Sequence, residues 1–86
     1  MSWSVEITPP ARRSLNRLPD KVRDAALAFV HGPLADNPYR VGKPLERELT
    51  GLHSARRGAY RIVYRILDAR VVVQVVKVGP RSDVYR

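Results

Sequence analysis

Residues 58–79, GAYRIVYRILDARVVVQVVKVG, decide the fold of this 86-residue chain. β-Branched and aromatic residues dominate the stretch, and Asp68-Ala69 divides it into two runs, which is typical of two strands joined by a turn. We predict strands over Tyr60–Leu67 and Arg70–Val78. Gly58-Ala59 is a tight link that connects them to an earlier strand over Leu52–Arg57.

The N-terminal part begins with a strand and a helix. Trp3, Val5 and Ile7 alternate with polar residues, which is the pattern of a half-buried strand. Thr8 is then an N-cap and Pro9 the first helical residue, since proline is tolerated at that position. The apolar stripe of this helix consists of Ala11, Leu15 and Leu18, and Pro19 ends it.

A second helix follows, with Asp20 as its predicted N-cap. Its apolar face consists of Val22, Ala25, Ala26, Phe29 and Val30. Gly32-Pro33 interrupts or kinks it, because proline cannot continue the helical hydrogen bonds. Residues 36–51 contain Pro38, Gly42, Pro44 and Gly51, which favour turns, and are predicted to be mostly a connecting loop.

The order strand, helix, helix, three strands predicts one α+β domain over residues 1–86. We expect an antiparallel sheet, built from the N-terminal strand and the C-terminal three-strand meander, with both helices packed on one face. A chain of this length has room for one small core, and we expect no deep cofactor site and no cofactor.

The formal net charge of +8 is concentrated in the second half of the chain. Residues 1–40 hold six Lys/Arg against four Asp/Glu, and residues 41–86 hold ten against four. Such basicity fits nucleic acid, an anionic membrane or an acidic protein. The valine run Val71–Val73 is far too short to span a bilayer, and no secretory signal is evident, so we expect a cytoplasmic protein without membrane contact. With no cysteine and two isolated histidines, no metal site is predicted.

Alternation along the central strand separates a core face from an open face. Tyr60, Ile62, Tyr64 and Ile66 are predicted to face the helices, and Arg61, Val63, Arg65 and Leu67 to face away. If Arg56 shares the face of Arg61, a cationic pair lies across one hairpin. Lys77 is expected on the side of Val71, Val73 and Val75. Arginine suits a phosphodiester, because its planar fork donates two parallel hydrogen bonds to phosphate oxygens.

Simpler interpretations of these residues stay open. A surface arginine on a small basic domain is usually a solvated charge, and Tyr60 and Tyr64 are typical core aromatics. His53 suits a partly exposed strand position. Glu46 and Glu48 are not a convincing catalytic pair, and no catalytic triad or glycine-rich phosphate loop is present.

The motifs together resemble the RelE branch of the RelE/ParE toxin superfamily. The resemblance rests on GAYRIVYR (58–65), VVVQVVKVG (71–79) and RSDVYR (81–86), with YRVGKPL (39–45) and LHSARRG (52–58) upstream. It extends over essentially the whole chain, and the motifs fall in the family's order and spacing. It implies a type II toxin that enters the ribosomal A site and cleaves mRNA without a metal, by attack of a 2′-hydroxyl on the adjacent phosphate.

The resemblance also implies roles for individual residues. Arg61 corresponds to the strand arginine that stabilises the scissile phosphate, and Arg56 to another basic residue of the site. Arg81 corresponds to an arginine that acts on the leaving group or the transition-state charge. Tyr85 corresponds to a C-terminal tyrosine that stacks on mRNA or positions the 2′-hydroxyl.

One departure from the family concerns the general base. The family pattern has two lysines on the strand before Arg61, and the matching residues here are Leu52 and Ser54. The RNA-binding candidates Lys43, His53 and Arg57 could compensate, or the reaction could rest on positioning and electrostatics alone.

The resemblance implies two partners, and it leaves two alternative functions. The partners are the 30S A site, with its mRNA and rRNA, and a cognate antitoxin that lays an acidic or amphipathic segment on the basic surface. The first alternative is a ParE-like toxin, which shares the fold but poisons DNA gyrase and has no nuclease site. The second is a non-catalytic RNA- or ribosome-binding module.

Overall fold

A computed structural model describes residues 2–80. Its strands are β1 (Ser4–Ile7), β2 (Lys43–Pro44), β3 (His53–Arg57), β4 (Tyr60–Leu67) and β5 (Val72–Pro80). Its α-helices are α1 (Pro9–Asn16) and α2 (Asp20–Phe29). The predicted α+β class is confirmed, and the predicted order of strand, helix, helix and three strands is confirmed for every element except β2.

The five strands form one sheet in the order β1-β5-β4-β3-β2. The pairs β3–β4 and β4–β5 are antiparallel, as the meander predicts. β1, however, pairs with β5 in parallel, with Val5 opposite Val73. The sheet is therefore mixed, and the prediction of a wholly antiparallel sheet is wrong at this strand. The alternation of apolar and polar residues identifies a strand, but it does not give the neighbouring strand or the direction of pairing. Here both depend on where α1 and α2 bring the chain back to the sheet.

β2 is a second difference from the prediction, because residues 36–51 were expected to be mostly loop. The two residues of this strand pair antiparallel with β3, Lys43 opposite Ser54 and Pro44 opposite His53. Proline is accepted at such an outermost strand because it need not donate to a further neighbour.

The start of α1 matches its prediction. The Thr8 hydroxyl oxygen accepts a hydrogen bond from the Ala11 backbone N–H at 3.3 Å, and Pro9 is the first helical residue. The same hydroxyl donates to the Val75 carbonyl at 2.9 Å, so the cap also fixes the helix to β5. Ala11 and Leu15 are buried against the sheet.

α2 begins one residue earlier than predicted. Pro19 occupies the N-cap position, and Asp20 lies in the first turn, where its carboxylate pairs with Arg23 at 2.8 Å instead of capping. Negative charge in the first turn still stabilises the helix through its dipole. At the other end, the predicted interruption at Gly32-Pro33 takes the form of a π-helical turn over Val30–Leu34.

The core lies between the helices and one face of the sheet, as predicted. The sheet contributes Ala55, Ile62, Tyr64, Val73, Val75 and Val78, and the helical region contributes Ala11, Leu15, Ala26, Phe29, Val30 and Leu34. Burial of each large apolar side chain stabilises the fold by roughly 1.5–3 kcal/mol. No helix among residues 2–80 is both long and apolar enough to cross a membrane.

A β-bulge changes the predicted faces of β5. Val63 lies opposite Lys77, but the next residue, Tyr64, lies opposite Val75, so Val76 is an extra residue in the ladder. Cross-strand partners share a face, and Val63 and Tyr64 point to opposite faces. Lys77 therefore does not share the side of Val73 and Val75, and that prediction is wrong.

Candidate functional site

The centre of the candidate site is a pair of arginines on the face of the sheet opposite the helices. Arg56 on β3 lies directly opposite Arg61 on β4, so the two side chains share one face. The intervening turn is as short as predicted: Gly58 has a φ of 59°, which glycine adopts at little cost. We call Arg56 and Arg61 the arginine pair.

A depression of about 520 Å³ adjoins the arginine pair. Residues 40–45, which we call the loop wall, form one side, and Ser54 and the arginine pair form the other. This volume lies within the roughly 300–1,000 Å³ typical of ligand sites. The depression can therefore hold a group the size of a nucleotide.

The charge of the depression is uniformly positive. Four of its lining residues are cationic, namely Arg40, Lys43, Arg56 and Arg61, and none of the lining residues is acidic. Within residues 2–80, the side chains of Arg40, Lys43 and Arg56 form no ion pair or hydrogen bond. Four cations without a lining carboxylate attract a polyanion, and guanidinium groups bind phosphate in particular.

Lys43 has a specific relationship to the missing strand lysines. It lies directly opposite Ser54 in the β2–β3 ladder, and both residues line the depression. Ser54 is buried, with 7% of its surface exposed, so it offers little surface to a ligand. Lys43 thus brings a cationic side chain from the neighbouring strand to the side of Ser54, one of the two residues at which the sequence departs from the family pattern.

The loop wall is fixed from inside the core by Tyr64. The Tyr64 hydroxyl donates a hydrogen bond to the Pro38 carbonyl at 2.6 Å, and both residues are fully buried. Burial raises the pKa of the Tyr64 phenol to about 12, so the hydroxyl keeps its proton at any physiological pH. Tyr64 is the core aromatic expected from the sequence, and its hydroxyl is enclosed by the protein.

Gly42 brings the loop wall into direct contact with the sheet. A Cβ at this position would be 2.7 Å from the Ser54 carbonyl oxygen and closer still to the Tyr64 hydroxyl oxygen. Such distances exclude any side chain unless the backbone moves. Glycine is required here by the close approach of two backbones.

Tyr39 provides a further attachment for the same part of the chain. Its hydroxyl donates a hydrogen bond to the Asp68 carboxylate beyond the end of β4, and this bond raises the pKa of the Tyr39 phenol. Its ring meets Trp3 and His53 edge-on, each at 6.0 Å between ring centroids. Arg40, the next residue, therefore extends from an anchored backbone.

Two predicted RNA-binding residues lie on the other face of the sheet. His53 is opposite Tyr64, and their rings stack with centroids 5.6 Å apart. The guanidinium of Arg57 lies over the Phe29 ring, 5.0 Å from its centroid, which is a cation–π contact with α2. The structure thus separates His53 and Arg57 from the arginine pair, and only Lys43 of the three lines the depression.

Burial lowers the pKa of His53, and the negative charge of Asp68 opposes this effect only in part. Its Nδ1 atom is buried and has no hydrogen-bond partner among the described residues. The neutral imidazole is therefore favoured in the fold. This is a structural role within an aromatic cluster, away from the depression.

The remaining site candidates differ in how far the structure describes them. Arg81 and Tyr85 lie outside the described residues. Arg40 lines the depression but was not among the residues predicted from sequence. The only signal for it was its place in the motif YRVGKPL (39–45), which also contains Lys43, in a segment expected to be loop.

A family model and two known proteins match this chain over nearly its whole length, and all three are described as toxins. Residues 5–85 match a family model described as the ParE toxin of the type II toxin–antitoxin system parDE. The chain is 51% identical over 84 residues to Toxin RelE of Mycobacterium tuberculosis, covering 98% of this chain and 87% of that protein. It is 48% identical over 86 residues to Toxin RelG of the same organism, covering 100% and 99%.

The fold of this chain is also similar to that of a solved toxin–antitoxin structure. The chain is similar to one in the crystal structure of the toxin–antitoxin complex RelBE2 from Mycobacterium tuberculosis, with a TM-score of 0.92 and 46% sequence identity. The match covers 96% of this chain and 95% of the other.

Proposed function

This chain belongs to the RelE branch of the RelE/ParE superfamily of type II toxins, and we propose that it is a ribosome-dependent endoribonuclease that cleaves mRNA in the A site. The observation that carries the proposal is the arginine pair, two guanidinium groups opposite each other beside a cationic depression. A binding surface that needed only attraction would not require two guanidiniums at one point.

In the proposed reaction, a ribose 2′-hydroxyl attacks the adjacent phosphorus. The bond from O2′ to phosphorus forms and the bond from phosphorus to O5′ breaks, which leaves a 2′,3′-cyclic phosphate and a 5′-hydroxyl. Negative charge grows on the phosphate oxygens as the phosphorane-like transition state develops. The arginine pair stabilises that charge more strongly than the charge of the ground state, which is the requirement for catalysis.

Lys43 supplies positive charge that the two strand lysines supply in relatives. Its place opposite Ser54 supports this assignment over His53 and Arg57, which lie on the helix-covered face. With Leu52 and Ser54 at the lysine positions, no described side chain is assigned as the general base. Rate enhancement then rests mainly on positioning and on stabilisation of charge.

The C-terminal residues complete the proposed site on the strength of the family resemblance. Arg81 acts on the leaving O5′ atom or on transition-state charge, and Tyr85 stacks on a base or positions the 2′-hydroxyl. β5 ends at Pro80, and Gly79 lies opposite Arg61 in the β4–β5 ladder. Pro80, the last described residue, is thus one residue beyond the partner of Arg61, which supports a contribution from the residues that follow it in the chain.

The relatives suggest a partner as well. The similar chain from Mycobacterium tuberculosis was solved as part of a toxin–antitoxin complex. We propose that a cognate antitoxin binds this chain through an acidic or amphipathic segment. Such a segment would neutralise the basic surface and prevent the toxin from approaching the ribosome. The phosphates of ribosomal RNA would supply much of the affinity of the toxin for the ribosome.

A reconstituted translation reaction tests the proposal. Ribosomes paused on a defined codon are incubated with the protein, and the mRNA ends are mapped by primer extension. Cleavage within the A-site codon, only when ribosomes are present, is expected. Uncut mRNA under conditions in which a known RelE toxin cuts would refute the nuclease function.

The name of the matching family model supports one second candidate, a ParE-like toxin that poisons DNA gyrase. The same preparation distinguishes it when gyrase and plasmid DNA are added. Intact mRNA together with trapped gyrase–DNA adducts would favour that activity over RNA cleavage.

A further inference from the structure

We propose that Tyr64 is a positioning residue that holds the loop wall against the sheet, so that Arg40 and Lys43 bind a second RNA phosphate beside the one bound by the arginine pair. The inference extends the proposed function and rests on it for the identity of the ligand. It assigns a role in binding to a hydroxyl that lies on the far side of the sheet from the RNA.

The first step is the hydrogen bond between the Tyr64 hydroxyl and the Pro38 carbonyl. The donor comes from the middle of β4, and the acceptor lies two residues before Arg40. Because both residues are fully buried, water cannot take the place of the hydroxyl. Loss of the hydroxyl leaves a buried carbonyl without its partner and favours movement of Pro38 toward solvent.

The second step is the contact at Gly42, which transmits the position of Tyr64 to the loop wall. The backbone at Gly42 approaches the Tyr64 hydroxyl and the Ser54 carbonyl so closely that no Cβ fits. One phenol oxygen therefore contacts the segment at Gly42 and bonds it at Pro38. Between these two points lies Arg40, and directly after them lies Lys43.

The third step concerns charge. The side chains of Arg40 and Lys43 are exposed, line the depression and form no ion pair with other described residues. Two exposed cations without an ion-pair partner among the described residues favour the binding of an anion. A second phosphate of the same RNA strand is the anion that the proposed function brings to this place.

The test compares Tyr64→Phe with Tyr60→Phe. The control, Tyr60→Phe, also removes a hydroxyl from β4, but the Tyr60 hydroxyl forms no hydrogen bond with another described residue. The probe is a fluorescent RNA trinucleotide with a 2′-O-methyl group at the cleavage position, so that it binds without reacting. Its Kd is measured at several salt concentrations. We expect Tyr64→Phe to weaken binding about tenfold, the scale of one lost charge-assisted contact, and Tyr60→Phe to leave it unchanged.

The salt dependence separates positioning from a general loss of folded protein. Each phosphate contact on single-stranded nucleic acid contributes about 0.7 to the slope of log Kd against log salt. Tyr64→Phe should therefore give a shallower slope. A merely destabilised protein would reduce the active fraction and leave the slope of the remaining molecules as in wild type.

A double-mutant cycle tests whether Tyr64 acts through the loop wall. The variant Arg40→Gln/Lys43→Gln should lose at least as much affinity as Tyr64→Phe. Addition of Tyr64→Phe to that variant should cost nothing more. Additive losses would overturn the proposal, because Tyr64 would then act by some other route.

Substitutions at two glycines, Gly42 and Gly32, provide a second test if Tyr64→Phe folds poorly. Gly42→Ala should displace the loop wall and weaken binding in the same way. Gly32→Ala is its control, because a Cβ at Gly32 would meet nothing within 4 Å. Wild-type affinity and salt slope in both Tyr64→Phe and Gly42→Ala would overturn the proposal.

A further experiment distinguishes the case in which the proposed function is wrong from the case in which only this inference is wrong. If the wild-type protein cuts no mRNA, its affinity for inorganic tripolyphosphate is measured instead. Binding that depends on Tyr64, Arg40 and Lys43 would support an anion-binding wall without nuclease activity. No binding of either probe by wild-type protein would overturn the inference as well.

Discussion

Arg56 and Arg61 lie directly opposite each other on adjacent antiparallel strands, although their side chains carry the same charge. Like charges at such positions destabilise a sheet. Their neighbour Arg57 points to the other face and lies over Phe29. The chain thus places two like charges side by side next to the cationic depression and places the next arginine in a favourable contact with α2.

This arrangement predicts opposite effects of two neighbouring substitutions on stability. Arg56→Gln should raise the free energy of unfolding by roughly 0.2–1 kcal/mol, because it removes the repulsion. Arg57→Gln should lower it by about 0.5–1 kcal/mol, because it removes the cation–π contact. Urea unfolding at low and high salt measures both values, and the gain for Arg56→Gln should shrink as salt screens the charges.

The same two substitutions should affect cleavage activity in the opposite order to their effects on stability. Arg56→Gln is expected to cut mRNA more slowly than wild type, and Arg57→Gln to retain most of its activity, although each variant loses one positive charge. Equal activities of the two variants would indicate that only total charge matters.

His53 should make the fold sensitive to mild acid. Its pKa is lowered in the folded state, chiefly by burial, whereas in the unfolded chain it is near 6.5. Below pH 6.5 the unfolded chain therefore takes up a proton that the folded protein resists, and stability falls as pH falls from that point toward the folded-state pKa. The loss is about 1.4 kcal/mol for each unit by which the two pKa values differ.

The measurement is urea unfolding at pH 7.5 and pH 5.5. His53→Gln should reduce the difference in unfolding free energy between the two conditions. The same substitution at the exposed His31 is the control. An unchanged difference in His53→Gln would contradict the role assigned to this half-buried imidazole.

Val71 has a strained backbone and should respond to substitution. Its φ is 53°, a left-handed conformation that β-branched residues rarely adopt, and the residue is 50% exposed. Val71→Asn should raise the free energy of unfolding by about 1 kcal/mol, because asparagine tolerates this region. Thermal unfolding measures the change, and a lower melting temperature than that of wild type would argue against strain.

Much of the fold follows from local patterns in the sequence. The boundaries of β4 and the Thr8-Pro9 start of α1 were predicted because alternation and capping chemistry act over a few residues. The parallel pairing of β1 was not, since its partner is distant in the chain. The bulge at Val76 was also hidden, because residues 71–78 are mostly valine and give no alternation that could reveal a shift.

The candidate site was predicted in part for the same reason. The pairing of Arg56 with Arg61 follows from a two-residue hairpin link, which fixes the register. The loop wall depends on a contact between Tyr64 and Pro38, 26 residues apart, which no local pattern encodes. His53 and Arg57 were assigned by charge and chemistry alone, although strand alternation already separated them from Arg56.

The most direct measurement compares mRNA cleavage by Arg61→Ala and Arg65→Ala in the paused-ribosome reaction. Both residues lie on β4 and each substitution removes one positive charge, but Arg65 is opposite Gln74 and does not line the depression. We predict that Arg61→Ala loses about 100-fold or more of the cleavage rate while Arg65→Ala stays within about threefold of wild type. Equal rates in the two variants, or wild-type cleavage by Arg61→Ala, would contradict the assignment of the arginine pair as the reaction centre.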